Sequence, residues 1–365
     1  MRVGLIINPI AGAGGPLAQH GSDAYRPGAE PPAWAAQRAE EALRLLLLAS
    51  CQPDWVCGAG AMGEDLLRAL GQAPELLGER RWPSSAQQTR EIAAQMLAQD
   101  LTLLLFAGGD GTARDVHDAV GEALPVLGIP AGVKLQSACF GVSPRAAGAL
   151  AASYLMRHAR VSEAREVLDL DERALAQGRV QAQLYGLLRV PVDARLLQGR
   201  KARSEAGDAL DAQRLAESLK PQLQQGLHFI GPGSTTWALK QALGLDGSLI
   251  GVDVVADGAL WLRDATEAQL WELAQQQRQP RLWLTAIGGQ GHVLGRGNAP
   301  LSPRVLQALG RAALTLLITP RKLQALGGVP LRVDCGAAAV DALYAGPVRA
   351  MTGPREQAML RLVAA

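Results

Sequence analysis

The sequence lacks several features that identify whole classes of protein. It contains no Gly-Lys pair, and therefore no P-loop for nucleotide phosphates. Its four cysteines show neither Cys-x-x-Cys spacing nor a histidine at metal-ligand spacing, a pattern typical of reduced thiols in a cytosolic protein; they are Cys51, Cys57, Cys139 and Cys335. Its most apolar runs, such as Leu43–Ala49 and Leu314–Ile318, are far shorter than a membrane span.

Neither sign of charge predominates, since 36 basic residues face 34 acidic ones. No general attraction to nucleic acid or to an anionic membrane follows from this balance, and we expect neither as a partner. The apolar run Val3–Ile7 is ended by Asn8-Pro9, which favours a first strand over a signal peptide. We therefore expect a soluble, cytoplasmic protein.

The pattern of elements changes along the chain, and 365 residues are too many for one ordinary core. Strands predicted at 2–8, 54–57, 101–106 and 125–129 alternate with helices near 35–49, 64–70, 85–99, 112–120 and 144–157. Later strands are predicted near 180–190, 249–256, 282–287, 314–319 and 331–335, with helices near 206–225 and 266–276. We predict an α/β fold with a doubly wound parallel-sheet domain at 1–160 and a β-rich domain at 161–365.

The most informative stretch is Leu101–Thr112, where an apolar strand leads directly into Gly-Gly-Asp-Gly-Thr. Its glycines are Gly108, Gly109 and Gly111. They remove every Cβ around Asp110, which lets backbone N–H groups approach an anion and lets the turn adopt a positive φ. Thr112 and Asp115 form a capping-box pattern at the start of a helix. This arrangement suits phosphoryl transfer, with glycine amides on the phosphates and the carboxylate orienting a hydroxyl or a metal ion. The alternative is a tight turn whose aspartate only satisfies local amides.

Four glycine-rich loops follow predicted strands, and the Gly-Gly-Asp-Gly-Thr turn is the second of them along the chain. The first, Asn8–Gly15, is not a dinucleotide fingerprint, because Leu17 stands where the third glycine should be. This loop and the Gly-Gly-Asp-Gly-Thr turn follow strands of the predicted parallel sheet, and such sheets bind ligands at the carboxyl ends of their strands. In the third, Gly231–Thr236, the hydroxyls either bond phosphate or ribose oxygens or cap the following helix.

The fourth loop, Gly288–Asn298, surrounds His292, Arg296 and Asn298 with five glycines, which makes poor packing material and favours a site in the second domain. Arg296 offers a phosphate fork, His292 a titratable donor and Asn298 an amide. Lys134, at the end of the strand that follows the Gly-Gly-Asp-Gly-Thr turn, can meet phosphate from that edge, or it is an ordinary surface lysine.

These motifs together resemble the ATP–NAD kinase-like family, some of whose members are encoded beside acetoin-degradation genes. That family belongs to the superfamily of NAD kinases and diacylglycerol kinases. The resemblance runs over nearly the whole chain, and the stretches that carry it are Asn8–Gly12, His20–Asp23, Gly108–Val116, Gly128–Lys134, Gly231–Thr236 and Gly288–Pro303.

The resemblance implies a two-domain NAD kinase fold with the active site in the cleft between an α/β domain and a β-rich domain. It implies that Asp110 acts on the ribose hydroxyl that receives the γ-phosphate, and that Ser234–Thr236 help to bind nucleotide. Two departures are visible. No clear Asn-Glu pair of the kind that grips NAD is present, and Cys335-Gly336-Ala337 stands where relatives carry Thr-Gly-Asp.

The sequence thus predicts a kinase that transfers a phosphoryl group from ATP, or from polyphosphate, to the 2′-hydroxyl of NAD, with Mg²⁺. Asp110 is the predicted catalytic residue, as general base or as a ligand of Mg²⁺. The predicted phosphate- and nucleotide-binding residues are Asn8, Gly108, Gly109, Gly111, Thr112, Lys134, Gly233, Ser234, Thr235 and Thr236. Two alternatives stay open: a kinase for another hydroxyl acceptor, either a lipid or a small metabolite, and a non-catalytic nucleotide-binding regulator. We expect small-molecule nucleotides as partners and a homo-oligomer.

Overall fold

The computed structural model divides into two compact units. It describes residues 1–19, 25–49, 52–133, 135–157, 160–170, 182–193, 196–197, 206–276, 279–287 and 290–365. The first unit comprises Met1–Gly14 and Gly21–Arg200, and the second comprises Gly15–His20 and Lys201–Ala365.

A five-stranded sheet forms the centre of the first unit, and its neighbouring strands are all parallel. In the order β3-β2-β1-β4-β5, the strands are β1 (Arg2–Ile7), β2 (Asp54–Gly58), β3 (Glu75–Leu77), β4 (Leu103–Gly108) and β5 (Val126–Pro130). The helices are α1 (Ala33–Leu48), α2 (Glu64–Ala69), α3 (Ala86–Leu97), α4 (Asp110–Val120) and α5 (Pro144–Met156). α1 packs on α5, and α3 packs on α4.

The local sequence explains these elements. Every residue of β4 is buried, as expected of a central parallel strand covered on both faces. Ser85 accepts the backbone N–H of Gln88 at the start of α3, and Ser143 accepts that of Ala146 at the start of α5, so a serine caps each of these helices. The prediction of a doubly wound parallel sheet is confirmed.

A two-stranded antiparallel hairpin, β6 (Ser162–Leu170) with β7 (Ala182–Pro191), also belongs to the first unit. β7 packs against β5 and α4, and its buried residues Leu188 and Val190 join the core of that unit. The first unit therefore extends to Arg200, beyond the boundary at 160 that the change in the pattern of elements suggested. Antiparallel pattern alone did not show which unit the hairpin packs on.

A nine-stranded mixed sheet forms the second unit, in the order β10-β9-β8-β11-β13-β15-β16-β14-β12. Its strands are β8 (Leu227–Ile230), β9 (Asp253–Ala256), β10 (Ala259–Leu262), β11 (Arg281–Thr285), β12 (His292–Leu294), β13 (Leu314–Leu317), β14 (Leu331–Val333), β15 (Gly346–Met351) and β16 (Gln357–Ala364). Its helices are α6 (Ala206–Leu219), α7 (Ser234–Ala242), α8 (Glu267–Ala274), α9 (Pro303–Leu309), α10 (Pro320–Ala325) and α11 (Ala338–Tyr344). The β-rich character predicted for the second domain is confirmed.

Two boundaries in the second unit differ from those the sequence predicted. Helix α6 ends at Leu219 and continues only as a 3-10 turn at Lys220–Leu223, because Pro221 has no backbone N–H to donate. The strand predicted from 249 begins only at Asp253. None of the helices in the described ranges is long and apolar enough to cross a membrane.

Candidate active site

The first unit brings Asn8 and the Gly-Gly-Asp-Gly-Thr turn together at the point where the order of strands in its sheet reverses. The chain starts in the middle of the sheet at β1, moves outward to β3, and returns to β4 on the other side of β1. Ligands of such sheets bind at this switch point, beyond the carboxyl ends of the two strands. Asn8 follows β1, and its backbone N–H donates to the carbonyl of Ala107 in β4 at 2.9 Å.

The side chain of Asn8 holds the turn through hydrogen bonds. Its Nδ2 donates to Oγ1 of Thr112 at 2.9 Å, and its Oδ1 accepts the backbone N–H of Ile10 at 3.2 Å. Thr112 is 3% exposed, so its hydroxyl is directed into the protein. The side chains of these two residues therefore brace the turn.

Asp110 lies at the first position of α4 and is half-buried. Its Oδ2 accepts the backbone N–H of Gln136 at 2.7 Å, and its Oδ1 accepts that of Ser137 at 3.0 Å. Both donors are in the segment that follows β5. Two N–H donors stabilise the negative charge of the carboxylate and fix the direction of both its oxygens.

The glycines of the turn are needed for close packing. None of Gly108, Gly109 and Gly111 has a positive φ, so the expectation of a left-handed turn is wrong. A Cβ on Gly108 would lie 2.7 Å from Cγ2 of Thr112, and a Cβ on Gly132 would lie 2.6 Å from the Cα of Gly109. The backbone N–H groups of Ala131 and Gly132 both donate to the carbonyl of Gly108 at 3.0 Å. Side chains here would separate the turn from the loop after β5.

The predicted capping box at Thr112 and Asp115 is also wrong. Helix α4 begins two residues earlier, at Asp110, with Gly109 as an N-cap that makes no side-chain capping bond. Asp115 instead pairs with Arg90 of α3 at 2.5 Å. The first turn of α4 thus has no side-chain cap on its N–H groups, a geometry that favours an anion.

In the second unit, the Gly231–Thr236 loop turns most of its hydroxyls inward. Thr236 is fully buried and donates to the carbonyl of Gly233 at 3.0 Å. Thr235 is 1% exposed and accepts from Nζ of Lys322 at 2.9 Å. Ser234 is exposed at the N-terminus of α7, and Gly233 is its N-cap with φ of 124°. The two threonine hydroxyls therefore bond within the protein, whereas the Ser234 side chain lies at the surface.

Lys322 is a residue that the sequence analysis did not single out. It lies on α10, after β13, and its Nζ also donates to Oγ1 of Thr285 at the end of β11, at 3.1 Å. It thereby joins the carboxyl ends of three strands that lie side by side in the sheet. Its signal in the sequence is its rarity, since the chain contains five lysines among 36 basic residues.

The three predicted site residues of the fourth loop are all buried. His292 begins β12 and is 1% exposed, and Arg296 is 5% exposed. Asn298 braces its own loop: Nδ2 donates to the carbonyl of Val293 at 2.8 Å, and Oδ1 accepts the N–H of Gly295 at 3.0 Å. For Asn298 the geometry is that of a structural residue.

Next to this loop, the Cys335-Gly336-Ala337 segment contacts a carboxylate that the sequence analysis did not single out. This carboxylate is that of Asp341, one turn into α11, whose Oδ1 accepts the backbone N–H of Cys335 at 2.8 Å. Burial, reinforced by this carboxylate, raises the pKa of the Cys335 thiol to about 12. Cys335 is therefore a neutral thiol at physiological pH and unsuited to nucleophilic chemistry.

Some predicted residues lie outside the described residues. They are Lys134, the motif residues His20–Asp23, and Gly288 and Gly289 of the fourth loop. No group of three or more acidic, histidine or cysteine side chains within the described ranges could hold a metal ion by itself.

Comparison with known proteins covers both parts of the chain. The family model for the ATP-NAD kinase N-terminal domain matches residues 3–159, and the model for the ATP-NAD kinase C-terminal domain matches residues 228–362. Neither the curated proteins nor the solved structures gave a significant match. The first matched range contains Asn8 and Asp110, and the second contains the Gly231–Thr236 loop and Lys322. With both domains present in this order, the chain belongs to the NAD kinase family and is a kinase.

Proposed function

We propose that this kinase transfers the γ-phosphoryl group of ATP to the 2′-hydroxyl of NAD, giving NADP and ADP. The observation that carries the proposal is the carboxylate of Asp110, oriented by two backbone N–H groups beside an uncapped helix N-terminus at the switch point of the sheet. A positioned carboxylate and phosphate-binding amides are the two parts that hydroxyl phosphorylation needs.

In the proposed reaction, Asp110 takes the proton of the acceptor hydroxyl while the oxygen of that hydroxyl bonds to the γ-phosphorus. The bond between that phosphorus and the β–γ bridging oxygen breaks, and ADP leaves. The N–H groups of the first turn of α4 lie where the phosphate charge is held. Asn8 and Thr112 keep the turn in place, and Ser234 is the hydroxyl of its loop that is exposed to solvent.

The described residues fit Mg²⁺ as a metal that the protein holds through few ligands. Asp110 offers one carboxylate, and Mg²⁺ commonly combines one or two carboxylates with substrate phosphates and water. When bound, Mg²⁺ supplies positive charge that neutralises the transferring phosphate. Polyphosphate, which also presents a chain of phosphoanhydrides, is the alternative donor.

The experiment is a coupled assay on the purified protein with Mg²⁺, NAD and either ATP or polyphosphate, in which an NADP-specific dehydrogenase reports the product. We expect NADP with at least one donor. Donor consumption with a lipid or a small alcohol and none with NAD would replace the proposed acceptor. Nucleotide binding without turnover under any donor would identify a regulator.

The catalytic assignment is tested by Asp110→Asn. We expect the variant to melt like the wild type and to lose activity by a factor of about 10²–10⁴, the usual contribution of a general acid–base group. Asp118→Asn is the matched control, because it removes one charge from the same helix at a site where the carboxylate accepts the hydroxyl of Tyr185 at 2.8 Å and lies 3.6 Å from Nδ1 of His117. Retained turnover in Asp110→Asn would contradict the assignment.

The proposal extends to partners and location. Small-molecule nucleotides are the proposed substrates, neither nucleic acid nor a membrane is a proposed partner, and the proposed assembly is a homo-oligomer. A cytoplasmic location is supported by three buried free thiols, Cys57, Cys139 and Cys335.

A further inference from the structure

The short segment that orients Asp110 has no regular secondary structure of its own. Gln136 and Ser137 lie between β5 and α5, outside any helix or strand. Nevertheless both residues are buried, at 6% and 0% exposure, and both donate backbone N–H groups to the carboxylate. The position of the carboxylate therefore depends on the contacts that hold this segment in place.

The hydroxyl of Ser137 fastens the segment to the hairpin. Oγ accepts the backbone N–H of Leu168 in β6 at 3.0 Å and donates to the carbonyl of the same residue at 3.4 Å. One residue on, the N–H of Ala138 donates to the carbonyl of Glu166 at 2.9 Å. Ser137 thus contacts Asp110 through its backbone and β6 through its side chain.

We propose that Ser137 is a positioning residue for Asp110, which holds the carboxylate in its reactive direction by fastening the Gln136–Ser137 segment to β6. This inference rests on the proposed function of Asp110. It also gives the hairpin β6–β7 a part in the reaction, because the strand receives the hydroxyl that sets the direction of the carboxylate.

The test is Ser137→Ala, which keeps the N–H that faces Asp110 and removes only the hydroxyl. We expect kcat to fall by about 10-fold while KM for the donor stays within about 2-fold, since a misplaced group slows the step without weakening ground-state binding.

Ser143→Ala is the matched control. Ser143 is 4% exposed, lies in the same unit and accepts one N–H as the cap of α5. Its loss should lower stability in a similar way and leave kcat and the exchange of the Gln136 and Ser137 amides unchanged. Hydrogen exchange gives a readout apart from activity: in Ser137→Ala the amides of Gln136 and Ser137 should exchange at least about 10-fold faster than in wild type. Ser137→Cys, which keeps the size of the side chain, should be intermediate if Ser137→Ala does not fold.

The outcomes separate this inference from the function on which it rests. If Asp110→Asn is inactive while Ser137→Ala keeps the wild-type kcat and amide exchange, the inference is wrong and the function stands. If Ser137→Ala and Ser143→Ala lose the same activity and exchange the amides of Gln136 and Ser137 at the same rate, Ser137 is only structural and the inference is overturned. If Asp110→Asn still turns over, the function itself fails.

Discussion

Replacing Gly108 by alanine should destabilise the first unit, and the structure shows why. The backbone of Gly108 is outside the left-handed region, so alanine can adopt its conformation. The obstacle is steric, because the new Cβ would lie 2.7 Å from Cγ2 of Thr112 and closer still to its Cβ and Oγ1. Since the Cβ of Thr112 is fixed by α4, no rotamer change relieves this contact.

The magnitude follows from two losses. Inserting a methyl group into a closely packed interior typically costs about 1–3 kcal/mol. Displacing Thr112 also breaks its hydrogen bond with Asn8, which contributes about 1 kcal/mol. We therefore expect Gly108→Ala to lower the free energy of unfolding by about 2–4 kcal/mol.

Gly111→Ala is the matched control within the same motif. Gly111 is exposed, has no positive φ, and the nearest atom to its added Cβ is Nη2 of Arg114 at 3.6 Å. Because Gly111 lies within α4, alanine should leave stability unchanged or raise it by up to about 1 kcal/mol. Turnover should still fall by about 10-fold or more, since the methyl group stands at the helix start where the phosphates are proposed to bind.

The assay is urea unfolding followed by circular dichroism, together with turnover of donor and NAD for each variant. Stability should separate the two variants, whereas activity should fall in both. A wild-type unfolding midpoint for Gly108→Ala would refute the steric argument. Equal destabilisation of the two variants would show that the glycines serve some property of the turn other than close packing.

Two predictions concern the second unit. His228 accepts a hydrogen bond from Nε1 of Trp283 at 3.1 Å, and burial lowers the pKa of the His228 ring. The neutral ring therefore stabilises the fold fully above a pH of about 6.5, the ordinary pKa of histidine, and this stabilisation is lost as the pH falls below that value. His228→Asn should lower the pH slope of the unfolding free energy between pH 7 and 5 by at most about 1.4 kcal/mol per pH unit, and an unchanged slope in urea titrations would contradict this. Lys240 and Asp253 form a fully buried ion pair, 2.8 Å apart. Lys240→Met removes the positive charge and leaves the carboxylate only the backbone N–H groups of Ser248 and Asp264, so it should lower the free energy of unfolding by about 3–5 kcal/mol, with part of that loss recovered by adding Asp253→Asn. A loss below about 1 kcal/mol in urea unfolding of Lys240→Met would show that the carboxylate finds another partner or takes up a proton.

Local sequence was enough to predict the parts of the fold that depend on local chemistry. The apolar run before the Gly-Gly-Asp-Gly-Thr turn became β4, and the serines at 85 and 143 became helix caps, because burial of a continuous apolar strand and capping both act over a few residues. The short strands β3 and β12, of three residues each, carry too little periodicity to be found in this way. Local sequence also does not predict the pairing of β14 with β16, because the paired residues are far apart in the chain.

By itself, the sequence determined that a single carboxylate, Asp110, stands among glycines at the end of a buried strand. Only the tertiary structure decided what that carboxylate contacts, since its two N–H donors lie 26 and 27 residues further along the chain. Likewise, the sequence placed three hydroxyls in the Gly231–Thr236 loop, but Thr235 turns inward because Lys322, 87 residues away, donates to it. Hydrogen bonds over such separations exist only once the sheet has brought the strand ends together. The residue types of the site are therefore a property of the sequence, and their partners are a property of the fold.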